Sequence, residues 1–597
     1  LVEGNYIGVQ GQVMRTRKGD LGVQVNAAEV LTSPDSYSAT HAITAFIEQY
    51  DTPAYHEARA AVDAIDLKVP IGTVSDKQVT VAGKVMSSRA AGKKLTFVTI
   101  QDQGGFMQLV LNKRELGDEP YEILTDLVSS GDYIGVTGNV MRTKAGELSV
   151  QAKNGKILSK SLEPLPKQYV VDGVDRKGAG EVQQERETGT VVGGVADTNL
   201  LYRRPELRLA QSPSERTPLE KRAKAISIMR EILERHRYMD VDSIPTLHEI
   251  YGGAFARPFQ TELTLGKDRD GKDITMPMVL GVAPEIYLKR MLAAGYSNGV
   301  YSIGKNFRDE NADGTHNPEF TAMECYKAFV DYNWLMGFVE NMYEEIFTRV
   351  NGSSIVTFGR PDLPLGVQQI DVKAGWPRKP VLELIAKNTV SEAFQHGIDA
   401  GSMSLDDLRQ AILEPNADGK PYLPNDPDHN YQEDYSWGGL VTELFGTYAE
   451  NTIVQPTFAI DFPLETTPLC KSHRSGDTRL VEKFEHFFYG TEGSNAYTEL
   501  NDPVRQRELF EAQARLGLKE GQSPDLLDER FIKALELGMP LAGGLGIGID
   551  RMAMLLTGCT TIKEVLAFPL VPYEGNMDEF RKYHAQLPAR IEDRKEA

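Results

Sequence analysis

The sequence predicts an α+β protein, a small all-β barrel followed by a larger domain of mixed helices and strands. Three observations carry this. Between residues 68 and 165, short strand-like runs follow one another with a single helical stretch among them. From residue 201 onward, segments with helical apolar periodicity alternate with strands, one of them a glycine-rich strand that runs straight into an apolar helix. Between the two, residues 170–200 are polar and glycine-rich (Gly178, Gly180, Gly189, Gly193, Gly194), the composition of a flexible linker.

The chain opens on an internal repeat. Residues Gly4 to Thr16 read GNYIGVQGQVMRT and residues Gly131 to Thr143 read GDYIGVTGNVMRT; Leu21-Gly22-Val23-Gln24 likewise matches Leu148-Ser149-Val150-Gln151. Residues 1–40 would then be a partial repeat, the C-terminal half of a barrel, with a sheet edge left unpaired unless something covers it. Either the chain starts inside a tandem array, which the first residue being Leu1 rather than Met favours, or a partial duplication lies here.

In the full copy, Val79 to Val85, Leu95 to Ile100 and Phe106 to Leu111 are strands, with Gly104-Gly105 as a turn. Tyr121 to Val128 is a helix, and Tyr133 to Val140 and Leu148 to Ala152 are two more strands. Five strands with a helix after the third is the pattern of an OB-fold barrel. Such barrels bind single-stranded nucleic acid by stacking bases on strand aromatics, and serve other roles too. In the larger domain, Pro218 to His236 has helical spacing in Ile226, Met229, Ile232 and Leu233, and Tyr332 to Arg349 is a second helix. Residues 375–451 combine helix signals with polar turns such as Asn416-Ala417-Asp418-Gly419 and read as a helical insertion without chemistry of its own.

Composition limits the function. At 597 residues there is room for two to four domains. The longest apolar runs, such as Met552 to Leu556, fall far short of the ~20 residues of a membrane helix. Cys325, Cys470 and Cys559 are scattered without CxxC spacing, which argues against zinc sites and disulfides and for a reducing compartment. This points to the cytoplasm, with an organelle left open. A net charge of −20 disfavours non-specific nucleic-acid binding, so any RNA contact must come from local basic patches.

The stretch Phe307-Arg308-Asp309-Glu310, a polar loop Asn311 to Thr315, and His316-Asn317-Pro318-Glu319-Phe320 read as a strand–loop–strand hairpin. On a strand, Arg308 and Glu310 would share one face. Arginine presents a planar charged fork to phosphate or carboxylate, and Phe320 a face for a purine. Alone, such a pair is more often a surface ion pair of little worth. The second motif shifts the balance. Gly543-Gly544-Leu545-Gly546-Ile547-Gly548-Ile549-Asp550-Arg551 is a strand whose glycines let backbone approach a ligand, with an arginine at the junction to the next helix. The two motifs, in this order and a domain length apart, resemble motifs 2 and 3 of the class II aminoacyl-tRNA synthetases.

Further stretches narrow the resemblance to the lysyl-tRNA synthetases. Gly252-Gly253-Ala254 with Ala256-Arg257-Pro258-Phe259 resembles that family's GGAxARPF, and Val282 to Arg290 its (I/V)APELYLKR. His316 to Thr321 is HNPEFT, Ser494 to Asp502 is similar to (G/A)N(A/G)(F/Y)SELND, and Gly83 to Lys93 to GR(I/V)MxxRxxGK. The resemblance implies an OB-fold anticodon-binding domain over 68–165 and a class II catalytic domain over 201–597, built on an antiparallel sheet flanked by helices. It implies ligation of lysine to tRNA(Lys) with ATP and Mg²⁺ through a lysyl-adenylate.

The residue roles follow from the same resemblance. Arg308 would bridge the lysine carboxylate and the ATP α-phosphate, and Arg551 would cover the adenine or reach the γ-phosphate; these two would be the catalytic pair. Glu310 would accept from the adenine amino group, Phe320 stack on the ring, His316 and Asn317 lie along the nucleotide, and Gly548 border it. Glu485 and Glu492 would bind magnesium, which suits oxygen ligands and phosphates. Glu285 would hold the α-amino group and Glu499 the side-chain ammonium, with Gly253, Glu324, Tyr326, Asn495 and Tyr497 completing the lysine pocket. A dicationic substrate calls for several carboxylates, which these segments supply. On the barrel, Phe97 would stack an anticodon base while Arg89, Gln108 and Glu147 read base edges.

Three departures stand out. Gly281 occupies the place of an arginine before (I/V)APE, and Thr491 that of the arginine in GRE; each loss would weaken anion binding by about 1 kcal/mol or more. Met239 to Pro245 is one residue longer than the usual EVETP of motif 1, the dimer-forming element of class II enzymes, and a homodimer is expected. The other functional readings are an aspartyl- or asparaginyl-type class II synthetase, which HNPEFT and the NAYTELND carboxylate oppose, and a degenerate synthetase kept as an RNA-binding or regulatory protein.

Overall fold

The computed structural model describes residues 7–15, 21–30, 69–102, 105–161, 169–170, 191–192, 202–211, 213–249, 256–425, 429–519 and 528–571. The chain divides into two compact units, 1–196 and 197–597.

In the first unit, β1 (Ile7–Arg15) and β2 (Leu21–Val30) form an antiparallel hairpin with a register shift at Gln10/Gly11. The remainder of the partial repeat, and most of the glycine-rich 170–200 stretch, lie outside the described residues. The full copy closes as a barrel of β3 (Val74–Ala90), β4 (Leu95–Asp102), β5 (Gly105–Asn112), β6 (Tyr133–Arg142) and β7 (Leu148–Ser159), in the order β3-β4-β5-β7-β6. The helix α1 (Asp118–Asp126) lies between β5 and β6 in sequence and contributes Tyr121 and Leu124 to the barrel core. Strand alternation sends Val98, Ile100, Leu109, Leu111, Ile134 and Val136 inward. Closure brings β6 and β7 so close at Gly138 that a Cβ there would lie 2.0 Å from the Gln151 carbonyl oxygen, so only glycine fits.

The second unit is built on an eight-stranded sheet. Its strands are β8 (Met239–Asp240), β9 (Val300–Phe307), β10 (Glu319–Ala328), β11 (Arg378–Pro380), β12 (Thr457–Ile460), β13 (Lys483–Phe488), β14 (Thr491–Thr498) and β15 (Ala542–Gly548). The order is β8-β9-β10-β15-β14-β13-β12-β11. Only the two edge pairs, β8/β9 and β11/β12, are parallel. The α+β class with an antiparallel central sheet is therefore as the sequence predicts.

One face of the sheet is covered by α2 (Thr217–Arg235), α3 (Tyr332–Asn351) and α4 (Ile549–Thr557), whose apolar residues form one core with Met323, Cys325, Leu545 and Ile547 of β10 and β15. The helix α3 starts on Asp331, whose side chain accepts the Trp334 N–H, and stops at Gly352, where φ is 75°. Between β11 and β12, three short helices, Val381–Asn388, Leu405–Ala411 and Trp437–Leu444, gather around a core of their own that includes Leu384, Leu408 and Leu440. Among the described residues, no helix is long and apolar enough to cross a membrane.

Candidate active site and nucleic-acid face

The antiparallel β9–β10 ladder ends on the pair Phe307–Glu319. Arg308 and Glu310 therefore lie in the connecting loop rather than on one strand face. The physical reason is Pro318, which has no N–H to extend the ladder. Arg308 N–H donates to the Pro318 carbonyl (2.9 Å), and the next residue turns away. Asp309 N–H donates to the Arg257 carbonyl (2.7 Å), and the Asp309 carboxylate pairs with the Arg257 guanidinium at 2.7 Å. Asp313 organises the rest of the loop: its carboxylate accepts the Thr315 N–H (2.7 Å) and the His316 N–H (2.8 Å), and its other oxygen lies 2.8 Å from His316 Nδ1.

This loop and the strands β10, β13, β14 and β15 enclose a pocket of about 430 Å³. Arg308, Glu310, His316, Asn317 and Phe320 line one part of it. The Arg308 guanidinium lies 5.1 Å from the Phe320 ring centroid, and its buried Nε has no hydrogen-bond partner among the described residues. A buried unpaired donor on a cation is costly unless a ligand completes it. Arg551, in the first turn of α4, reaches across. Its Nη1 donates to the Glu492 carbonyl (3.0 Å) and carboxylate (3.2 Å), and Nη2 lies 2.8 Å from His316 Nε2. Gly548, the residue before that helix, also borders the pocket.

Glu485 and Glu492 face the same space. Glu485 accepts from Lys483 Nζ at 2.8 Å and from Asn495 Nδ2 at 3.4 Å. Burial raises its pKa; Lys483 opposes this and the Glu492 charge adds to it. Glu450 stands near both carboxylates, and burial with their repulsion pushes it up to about 7. Two carboxylates at such a wall suit a divalent cation that takes its remaining ligands from phosphate and water. Among the described residues, no cluster of three or more His, Cys, Asp or Glu could hold a metal unaided.

The other end of the pocket is acidic. Glu285 opens the helix Glu285–Ala293 and accepts from Tyr497 Oη at 2.6 Å. Glu324 accepts from Tyr326 Oη at 2.8 Å; burial, then the Glu285 charge, raises its pKa to about 8. Asn495 and Tyr497 complete the lining, and the buried Asn495 Oδ1 has no hydrogen-bond partner among the described residues. Glu499 lies just behind. A Cβ at Gly544 would sit 2.0 Å from its Oε1 and 2.4 Å from Tyr326 Cε1, which explains a glycine on β15 at that point. Gly253 falls outside the described residues.

Two residues of the site lie within the motif stretches without a role assigned to them from the sequence. Asp550 is buried, accepts the Thr321 N–H at 2.8 Å and binds Arg222 of α2 at 2.7 Å. Lys289 is fully buried between Glu285 and Glu499. Its spacing of four from Glu285 on a helix was the available clue. Position 281 is also explained. A Cβ on Gly281 would lie 2.7 Å from His248 Nε2, so the buried His248 ring fills the space a larger side chain would need. Thr491 begins β14, paired with Phe488.

In the first unit, the four barrel residues share one outer face. Phe97 is half-buried while its strand neighbours Thr96 and Val98 point inward. Arg89 is its register partner on β3, with the guanidinium 5.5 Å from the ring. Gln108 donates to Glu147 at 2.8 Å and accepts from Ser149 Oγ at 2.9 Å, which fixes the orientation of its amide.

Comparison with known proteins agrees with this geometry. Residues 197–572 match the family model described as tRNA synthetases class II (D, K and N), and residues 79–158 that of the OB-fold nucleic acid binding domain. The chain is 37% identical to a lysine–tRNA ligase of Synechococcus sp. (strain RCC307), over 88% of this chain and 92% of that protein. It is 39% identical to a lysine–tRNA ligase of Porphyromonas gingivalis (strain ATCC 33277) over 83% of this chain and 77% of that protein. It is 34% identical to one of Oceanobacillus iheyensis over 89% and 93% respectively. Matches of that extent, on an OB-fold barrel and an antiparallel class II sheet, place the chain in the lysyl-tRNA synthetase family of class II aminoacyl-tRNA synthetases.

Proposed function

We propose that the chain is a lysine–tRNA ligase and that the pocket between β10, β13, β14 and β15 is where lysine is activated. The observation that carries this is one pocket holding both a cationic end, with Arg551 and with Arg308, whose buried Nε has no hydrogen-bond partner among the described residues, and an acidic end with Glu285 and Glu324. Arg308 orients the substrate carboxylate against the ATP α-phosphate. That carboxylate is already ionised and needs no base. Its oxygen attacks the α-phosphorus, the bond to the β-phosphate oxygen breaks, and pyrophosphate leaves with the electron pair. Arg308 and Arg551 stabilise the developing charge. Phe320 stacks on the adenine, Glu310 accepts from its amino group, and His316 and Asn317 border the nucleotide together with Gly548.

Glu285 binds the α-ammonium, Glu499 the side-chain ammonium, and Glu324, Tyr326, Asn495 and Tyr497 complete the pocket. The tRNA 3′-hydroxyl then attacks the adenylate carbonyl and AMP leaves. Glu485 and Glu492 would hold Mg²⁺, which supplies charge neutralisation on the phosphates. Phe97, Arg89, Gln108 and Glu147 bind the anticodon. We also infer a homodimer, through the motif 1 stretch Met239 to Pro245, and a cytoplasmic location.

Lysine-dependent ATP–pyrophosphate exchange tests the reading. Exchange with lysine, absent with aspartate or asparagine and lost in Mg²⁺-free buffer, is the expected outcome. A folded preparation that exchanges with none of the three overturns it and leaves an RNA-binding role.

A further inference from the structure

The buried ammonium of Lys289 has no part in the reaction described above. Its side chain is fully buried on the helix Glu285–Ala293, and charged groups in that position are rare unless paired. It is paired twice, with Glu285 at 3.0 Å and with Glu499. Tyr497 and Phe531 turn their rings to it at 5.8 and 5.6 Å, and the Leu469 carbonyl lies at 3.5 Å.

The charge count makes this lysine informative. Three carboxylates, Glu285, Glu324 and Glu499, meet at this end of the site; Lys289 is the resident cation among them, and Arg308 reaches Glu324 from the other end of the pocket. A substrate with two ammonium groups brings the cluster to neutrality, while its carboxylate goes to Arg308. A substrate with one ammonium leaves one of these carboxylates without a counter-charge, so that group must keep its proton and the second ammonium–carboxylate pair is never made. The geometry fits that count. Neither buried oxygen of Glu499 has a hydrogen-bond partner among the described residues; Oε2 forms the ion pair with Lys289, while Oε1, packed against Gly544, has no ion-pair partner there either.

We propose that Lys289 is a positioning residue for amino-acid selectivity: its resident ammonium holds the Glu285 and Glu499 carboxylates in place and leaves Glu499 Oε1 to the substrate's side-chain ammonium. This rests on the assignment of Glu499 made above. Burial raises the pKa of Glu499 and of Glu324 to about 8; the Lys289 charge acts on both in the opposite sense and offsets only part of that rise. Burial alone would lower the pKa of Lys289 itself; Glu499 and Glu285 overcome it and raise it. The other groups facing the cluster, Tyr326, Tyr497 and Cys470, have pKa values raised well above their ordinary values by burial and stay neutral.

The test compares lysine with norleucine, which has the same chain length and no side-chain ammonium, in ATP–pyrophosphate exchange from pH 6 to 9. The proteins are the wild type, Lys289→Met, Lys289→Arg and Glu499→Gln. In Lys289→Met, the KM for lysine is expected to rise tenfold or more at pH 7, with the loss falling on KM more than on kcat. That KM should fall again towards pH 9 as Glu499 gives up its proton. The preference for lysine over norleucine should drop at least tenfold, and Lys289→Arg should restore part of it. A Lys289→Met protein that loses activity equally for both amino acids, with no change in pH profile, overturns the proposal. If Glu499→Gln keeps the preference, the assignment of Glu499 fails and takes the route argued for Lys289 with it. If Glu499→Gln loses the preference and Lys289→Met keeps it, Lys289 alone is wrongly assigned. Lys289→Gln, which retains a hydrogen-bond donor, carries the same comparison if the methionine variant shows no cooperative thermal unfolding.

Discussion

Arg222 and Asp550, on helices far apart in sequence, form a two-pronged ion pair: Nη2 and Nε of the arginine lie 2.7 and 3.1 Å from one carboxylate oxygen of the aspartate. The other oxygen of Asp550 accepts the Thr321 N–H, and Arg222 also donates to Thr321 Oγ1 at 2.8 Å. One buried carboxylate thereby ties α2, the hairpin strand β10 and the start of α4 together, one residue from Arg551. Asp550→Ala leaves the arginine partly buried without its partner and is expected to destabilise the fold by about 3–5 kcal/mol. Chemical denaturation measures this. A change below about 1 kcal/mol would show that the pair does not hold these elements together.

Removing the Arg308 guanidinium should act on chemistry. Arg308→Ala is expected to lower lysine-dependent pyrophosphate exchange by about 10²–10³-fold, the usual loss of a preorganised charge-stabilising donor. The same variant should still bind tRNA, measured by filter binding, since the barrel face lies in the other unit.

Glu324 gives a pH signature. Its pKa stands at about 8 in the fold, against an ordinary carboxylate value of 4.5, so the folded state binds a proton that the unfolded chain has released. Stability from this group is therefore complete below the unfolded value and is lost as pH rises through about 8. Between pH 6 and 8 the wild type should lose stability relative to Glu324→Gln by roughly 1 kcal/mol per pH unit. Lysine binding near pH 7 should release a proton as the arriving ammonium favours the carboxylate. Calorimetry in buffers of different ionisation enthalpy reads that release. Identical pH slopes for the two proteins would rule out Glu324 as the source.

Phe97→Ala on the barrel should weaken tRNA binding by about 1–3 kcal/mol, the worth of a base stacked on an aromatic ring. Pyrophosphate exchange without tRNA should continue in this variant. An equal loss in both assays would mean that the substitution had damaged the fold instead.

Gly544→Ala places a methyl group where Glu499 Oε1 and the Tyr326 ring already lie. The expected result is a raised KM for lysine with the ATP KM little changed, read from exchange kinetics. An unaltered lysine KM would show that the carboxylate can retreat at no cost.

Local pattern and contiguous motifs suffice for the class and the order of the parts. Apolar residues fall on both faces of Leu95–Asp102 and Gly105–Asn112, so the closed barrel decides that Val98, Ile100, Leu109 and Leu111 are core and that Phe97 and Gln108 lie on the outer face. The helical spacing of Met229, Ile232 and Leu233 marks the buried side of α2, where the structure adds Ile228 and leaves Ile226 only partly buried. The hairpin and glycine-strand motifs are local and contiguous, so they were legible as they stand. What the tertiary structure alone decided are relationships between segments remote in sequence. Arg308 and Glu310 left the strand face because Pro318 and Arg257 end the ladder there. Gly281 proved to be filled by His248, and Lys289 and Asp550 became buried charges because their partners arrive from strands and helices hundreds of residues away. Local periodicity reports which side of an element avoids water. Only the packed fold brings the opposing charge that lets an ionised group stay there.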